Sequence, residues 1–251
     1  MTTSIDRRIV LFDLFGVIAR DQRPGALGEM AARCHTPTDA FTTAYWDCRP
    51  PYDAGQQSAS EYWTAVLRRL SLAVDAGTIE ELRLADIDSW SRVDDRMVAY
   101  AQSLRDVAEV ALLSNIPSDH ADAFLAAQPW LRRLDHVAFS GKIKAAKPAP
   151  AAFHHVVVAL RAAPTDFLFV DDREENVRAA QAIGMNGHVF TGRDELAAVI
   201  DTWLPTRRPD DPTTRVEMAH PSPPDSRTSR PDPPDRQPRQ RLRGPGRSGT
   251  P

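Results

Sequence analysis

Apolar positions along this chain follow two patterns, and the patterns divide it. Ile9-Val10-Leu11-Phe12 is an unbroken apolar run ended by Asp13, which predicts a short strand buried on both faces of a parallel sheet. Over residues 20–95 no such run recurs. Apolar residues there are spaced by three and four, at Leu27-Met30-Ala31-Cys34, Phe41-Ala44-Tyr45, Tyr62-Trp63-Val66-Leu67-Leu70 and Ile79-Leu82-Ile87-Trp90, the spacing of amphipathic helices. Pro37, the Pro50-Pro51 pair and Gly77 are expected to break these helices apart. Strand-like runs return at 107–113, 136–139, 167–170 and, weakly, 187–190, with helical stretches between them at about 117–127, 150–161 and 174–183. Pro150 suits a first helical turn. Alternating strands and helices predict an α/β fold with a mainly parallel, doubly wound sheet, interrupted by a small helical insert.

Composition changes this picture mainly at one end. The chain has 251 residues and 42% hydrophobic content, enough for a real core. From Pro205 onward it carries twelve of the 21 prolines and ten Arg against six acidic residues, a balance of +4 that leaves −7 for the rest of a −3 chain. Few aliphatics and much proline cannot offset the entropy of ordering, so residues 205–251 are expected to be a disordered Pro/Arg-rich tail. Asp210, Asp211, Asp225, Asp232 and Asp235 interrupt its basic charge, which argues against nucleic acid or a membrane as partner. Cys34 and Cys48 have neither metal-ligand spacing nor the count of a disulfide framework, so a reduced, cytoplasmic compartment is expected. No segment approaches a membrane span, and the first apolar run is far too short for a signal-peptide core.

The candidate chemistry lies where the predicted strands stop: Asp13, Ser114-Asn115 and Asp171-Asp172. In open α/β sheets ligands bind at the carboxyl ends of strands, so these residues can converge although they are far apart in the chain. Asp13 reads either as a nucleophilic or metal-binding carboxylate or as a cap of the following helix. Gly16 lets the backbone turn away close to whatever Asp13 holds. Three carboxylates at one sheet edge repel unless a cation sits among them. An all-oxygen set favours a hard ion, and magnesium matches best. Lys147, at a loop-to-helix junction before Pro150, adds positive charge, while Ser114 and Asn115 offer a hydroxyl and an amide to phosphoryl oxygens. Such a set fits phosphoryl transfer through an aspartyl-phosphate.

Leu11-Phe12-Asp13-Leu14-Phe15-Gly16-Val17, Leu112-Leu113-Ser114-Asn115, Lys147-Pro148-Ala149-Pro150 and Phe169-Val170-Asp171-Asp172-Arg173-Glu174-Glu175-Asn176 resemble, in order, the four motifs of the haloacid dehalogenase-like (HAD) hydrolase superfamily. The resemblance spans about residues 8–192 and looks closest to small sugar-phosphate phosphatases and the phosphatase-like half of soluble epoxide hydrolases. It implies a Rossmann-like core over 1–19 and 96–204 and a helical cap over 20–95. It also implies Asp13 as nucleophile, Ser114 and Lys147 at the phosphoryl group, and Asp13, Asp171, Asp172 and the Phe15 carbonyl around magnesium. The substrate would be a small phosphorylated metabolite. One departure stands out: most family phosphatases carry a general-acid Asp where this chain has Phe15, and losing a positioned acid/base typically costs on the order of 10² to 10⁴ in rate. The alternatives are therefore a metal-free dehalogenase, whose relatives have an aromatic residue there but lack the paired acids, and a non-catalytic binder of phosphate ligands. Asn176, one helical turn after Asp172, is a candidate to orient Lys147 or the metal ligands. Arg49 and Tyr52 are candidates to reach the substrate from above. Trp46, Trp63 and Trp90 are expected to pack the insert, with one of them a candidate to line the pocket, and Lys142, Lys144, His154 and His155 to lie outside the site.

Overall fold

Ile9–Phe12 forms β1, and all four of its side chains are fully buried, as an uninterrupted apolar run requires. The computed structural model describes residues 7–204, which fall within one compact unit; the tail expected over 205–251 lies outside the described residues. Four further strands, β2 (Glu109–Ser114), β3 (His136–Phe139), β4 (Phe167–Asp171) and β5 (Asn186–Val189), join β1 in a sheet of order β3-β2-β1-β4-β5 in which every pair is parallel. The chain first winds outward from β1 through β2 and β3, then resumes on the other side of β1 with β4 and β5. The crevice of a doubly wound sheet opens at that switch, between β1 and β4.

Between β1 and β2 lie the insert helices α1 (Ala26–Arg33), α2 (Thr38–Asp53), α3 (Ala59–Arg69) and α4 (Ala76–Ser89), followed by α5 (Asp95–Ser103). After β2 come α6 (Ser118–Ala127), the single turn α7 (Ser140–Ile143), α8 (Pro150–Leu160), α9 (Glu174–Ala182) and α10 (Arg193–Trp203). Alternate strand residues face opposite layers. Val10, Phe12, Val110, Leu112 and Val170 pack with Met97, Phe124 and Ile200 on one side, whereas Ile9, Leu11, Leu113 and Phe169 pack with Phe153, Val156 and Ala180 on the other. The insert buries a third cluster of its own, around Phe41, Tyr45, Tyr62, Trp63, Val66 and Leu82. Among the described residues no helix is long and apolar enough to cross a membrane.

Two expected breaks are not breaks. Pro50 and Pro51 lie inside the last turn of α2, and Gly77 lies in the first turn of α4. The two prolines leave carbonyls one turn earlier without a helical donor. The Arg49–Asp53 ion pair (2.7 Å) and the burial of Tyr52 carry the helix through that turn. Gly77 sits where Asp75 caps α4 by accepting from the Thr78 amide at 2.8 Å, so the helix starts before the glycine. The helices α5 and α10 have no counterpart in the predicted elements. Met97, Ala101, Leu196 and Ile200 supply their core faces.

Candidate active site

Strand register brings the first two carboxylates together. Phe12 pairs with Leu112 on one side and Val170 on the other, and the Asp13 amide donates to the Val170 carbonyl at 2.8 Å. Asp13 therefore leaves β1 level with Asp171, the last residue of β4. Lys147, carried by the loop before α8, places Nζ 2.7 Å from Asp13 Oδ1 and 2.6 Å from Asp171 Oδ2. The ammonium is buried and bridges the two acids.

Each member of this trio is held by a neighbour. Asn115 accepts from the Lys147 amide and donates to the Lys147 carbonyl, both at 2.8 Å, so its side chain clamps the lysine backbone. The Lys147–Pro148 peptide bond is cis. Asn176, early in α9, donates to both oxygens of Asp171 at 3.0 Å, and the Arg173 amide donates to Asp171 Oδ1 at 2.9 Å. Two polar atoms here are buried without a partner: Ser114 Oγ and Asn176 Oδ1. Native interiors rarely leave such atoms unpaired, and a bound ligand is one explanation when they border a cavity.

Asp13, Asp171 and Asp172 each offer a carboxylate oxygen within 4.8 Å of the others. Burial is the largest influence on the Asp13 carboxyl and pushes it up to about 7; Lys147 pulls it down and Asp171 adds repulsion. The Asp172 carboxyl is also raised, by burial and then by the charges of Asp171 and Asp21. One ammonium among three acids is not enough positive charge, and a hard cation would supply the remainder. The backbone leaves space for the third acid through Gly16. Its φ is +80°, and a Cβ there would come within 2.5 Å of Asp172 Oδ2. The donor set and this cradle fit magnesium.

The insert covers the same place. A cavity of about 220 Å³ is lined by Asp13, Phe15, Ser114, Asn115, Lys147, Asp172 and Asn176 from the sheet edge, and by Trp46, Arg49, Asp53 and Trp90 from the insert. Arg49 is buried. It pairs with Asp53 at 2.7 Å and with Asp86 at 2.9 Å, and it donates to the Tyr45 hydroxyl. Phe15 meets Trp90 edge-on, with ring centroids 4.8 Å apart. Tyr52 is not among these lining residues; it stacks on Tyr62 and donates to Asp119 at 2.6 Å. Of the three insert tryptophans only Trp63 is buried in the insert cluster; Trp46 and Trp90 turn to the cavity instead. Asp53, which sequence reasoning did not single out, also lines it. The Arg49–Asp53 spacing of four on one helix was the available signal. Lys142 pairs with Asp122 at 2.6 Å and His155 lies 5.9 Å from His136, both outside the cavity lining.

A family model described as haloacid dehalogenase-like hydrolase matches residues 8–184. The chain belongs to this family. This HAD-like hydrolase is similar in structure to a HAD family enzyme from Bacteroides thetaiotaomicron, with a TM-score of 0.64 at 19% identity over 77% of this chain and 98% of that one. A complex of the same enzyme with magnesium and inorganic phosphate gives 0.63 at 21% identity, over 75% and 96%. An L-2-haloacid dehalogenase from Xanthobacter autotrophicus gives 0.54 at 19% identity, over 78% and 83%. At these identities the likeness is one of fold. Among curated proteins, drimenol cyclase drtB of Aspergillus calidoustus is 26% identical over 149 residues, 58% of this chain and 28% of the cyclase. Flavin mononucleotide hydrolase 1 of Arabidopsis thaliana is 45% identical over 51 residues, 20% of this chain and 21% of that hydrolase. This HAD-like hydrolase thus spans about a quarter of the length of the curated relatives it matches.

Proposed function

We propose that this HAD-like hydrolase is a magnesium-dependent phosphatase acting on small phosphate monoesters. The observation that carries the reading is the Asp13–Lys147–Asp171 bridge beside Asp172 and the unpartnered Ser114 Oγ, a set with too many acids for its one ammonium and a free donor facing the cavity. The similarity to an enzyme solved with magnesium and phosphate, and to a flavin mononucleotide hydrolase, supports it.

Asp13, Asp171, Asp172 and the Phe15 carbonyl are the residues that would hold magnesium, which supplies charge neutralisation at the phosphoryl oxygens. Lys147 and Ser114 bind those oxygens, and Asn115 and Asn176 position Lys147 and Asp171. An oxygen of Asp13 attacks phosphorus, the bond to the leaving oxygen breaks, and that oxygen takes its proton from water. A second water then attacks the aspartyl-phosphate, releasing inorganic phosphate and restoring Asp13. Phe15 has no proton to give, so the site favours aryl phosphates, whose phenolate departs unaided, over alkyl phosphates. The insert over the cavity acts as a cap, closing the site from above through Trp46, Arg49 and Trp90. The paired acids at the end of β4 argue against a metal-free dehalogenase.

Phosphate release from p-nitrophenyl phosphate, with and without magnesium and in wild type and Asp13→Asn, tests the reading. Release that needs both the metal and Asp13 is expected. A wild type as silent as the mutant at high enzyme concentration overturns it, and halide release from 2-haloacids then tests the dehalogenase alternative.

A further inference from the structure

A second cavity, of about 270 Å³, adjoins the first. Its lining is largely apolar, with Leu84 and Ile87 of the insert and Ile116, Ala123, Phe124 and Ala127 of the core, and Asp88, Ser91 and His120 are its polar members. The two cavities share two residues, Phe15 and Trp90. Those rings touch edge-on, Phe15 also meets Phe124 at 5.9 Å, and Trp90 Nε1 donates to the Tyr45 hydroxyl at 3.2 Å. Phe15 and Trp90 thus line both the phosphoryl centre and the apolar cavity. One of them stands at the position where related phosphatases keep a general acid. Leu84, 52% exposed, is one of few large apolar side chains on the described surface. Apolar lining open to water is costly, and ligand sites are commonly concave apolar surfaces with polar groups at one end.

We propose that the apolar cavity receives the leaving-group half of the substrate, which makes the preferred substrate an aryl phosphate monoester with a hydrophobic substituent rather than a sugar phosphate. The proposal rests on the phosphatase reading above. The phosphoryl group lies at Asp13 and Lys147, the first ring of the leaving group lies against Phe15 and Trp90, and its tail enters between α4 and α6. In place of the acid, Phe15 supplies an apolar wall. The chemistry then suits leaving groups that need no proton.

A series of 4-n-alkylphenyl phosphates, from methyl to octyl, tests this, because the leaving-group basicity stays nearly constant while the tail lengthens. kcat/KM is expected to rise by up to about fourfold per methylene over the first several carbons, as follows from about 0.8 kcal/mol for each CH₂ taken fully from water. Ala123→Trp fills the cavity and is expected to remove that rise. Ala127→Trp, at the exposed end of α6, serves the same purpose if the first variant folds poorly. Turnover that does not depend on chain length overturns the proposal and leaves the phosphatase reading intact. If no phosphate ester is hydrolysed, the phosphatase reading falls by itself. Calorimetric titration with 4-octylphenol then decides the cavity: binding to wild type that Ala123→Trp weakens at least tenfold supports it, and no binding to wild type overturns it.

Discussion

Two buried charge clusters lie on either side of the same cavity, and they are built to opposite ends. At the sheet edge, Lys147 bridges Asp13 and Asp171, yet Ser114 Oγ and Asn176 Oδ1 have no partner and burial keeps the Asp13 and Asp172 carboxyls raised. In the insert, Asp86 accepts from Tyr45 at 2.7 Å and Arg49 at 2.9 Å, and Nε2 of His120, from core helix α6, stands 3.2 Å away without hydrogen-bond geometry. Burial pushes the Asp86 carboxyl up there as well, but Arg49 and His120 together outweigh it and bring it down to about 2. The charge of Asp86 is compensated by its own neighbours, and the charges of the sheet-edge acids are not. Burial alone therefore does not mark a functional acid; what distinguishes Asp13 from Asp86 is the balance of donors and cations around it.

The sharpest way to break the comparison is to remove each acid. Asp13→Asn is expected to lower phosphate release by a thousandfold or more, to background, because a nucleophile cannot be replaced from solution. Its melting temperature should hold or rise, since the raised carboxyl opposes folding near neutral pH. Asp86→Ala is expected to do the reverse. It leaves the buried Arg49 guanidinium without its innermost partner, at a cost of about 3–5 kcal/mol, visible as a fall of roughly 10 °C in thermal unfolding. A large loss of stability in Asp13→Asn, or none in Asp86→Ala, would undo the distinction.

The same contrast has a pH signature. Because the Asp86 carboxyl lies at about 2 in the folded chain and near 3.8 when free, its contribution, of about 2 kcal/mol, is fully present above pH 4 and is lost as pH falls toward 2. Urea midpoints measured between pH 5 and pH 2 should drop less steeply in Asp86→Asn than in wild type. The smallest expected effect is at Gly16. Gly16→Ala forces an L side chain into positive φ, at about 1–2 kcal/mol, and drives its Cβ against Asp172. Thermal unfolding should fall only modestly, while the magnesium concentration needed for half-maximal activity should rise severalfold. A variant with unchanged metal dependence would place Asp172 outside the proposed metal site.

Much of the sheet edge was legible before any coordinates. An apolar run closed by a polar residue marks both a buried parallel strand and the end at which its ligand binds, so Asp13, Ser114 and Asp171 could be gathered without knowing the register. Lys147 was legible from its place at a loop-to-helix junction, and Asn176 from its spacing of one helical turn after Asp172. The insert was legible only as helices. Three- and four-residue spacing tells which side of a helix is buried but not what it is buried against, so Tyr52 and Arg49 looked alike. One proves to point at Asp119 and the other at Asp86 and the cavity. Trp46 and Trp63 are likewise equivalent in spacing and opposite in placement. Local propensity also misjudged Pro50-Pro51, where an ion pair and a buried tyrosine carry the helix past two prolines.

By itself, then, the sequence determined the alternation of strand and helix, the polar strand ends and the absence of an acid at Phe15, because these are local matters of pattern and residue type. Tertiary structure decided the rest. It chose which insert side chains line the cavity, left Ser114 Oγ without a partner, and set two aromatic rings in the lining of both a polar cavity and an apolar one. Such features arise from contacts between segments far apart in the chain, where packing and desolvation, rather than periodicity, select the neighbour.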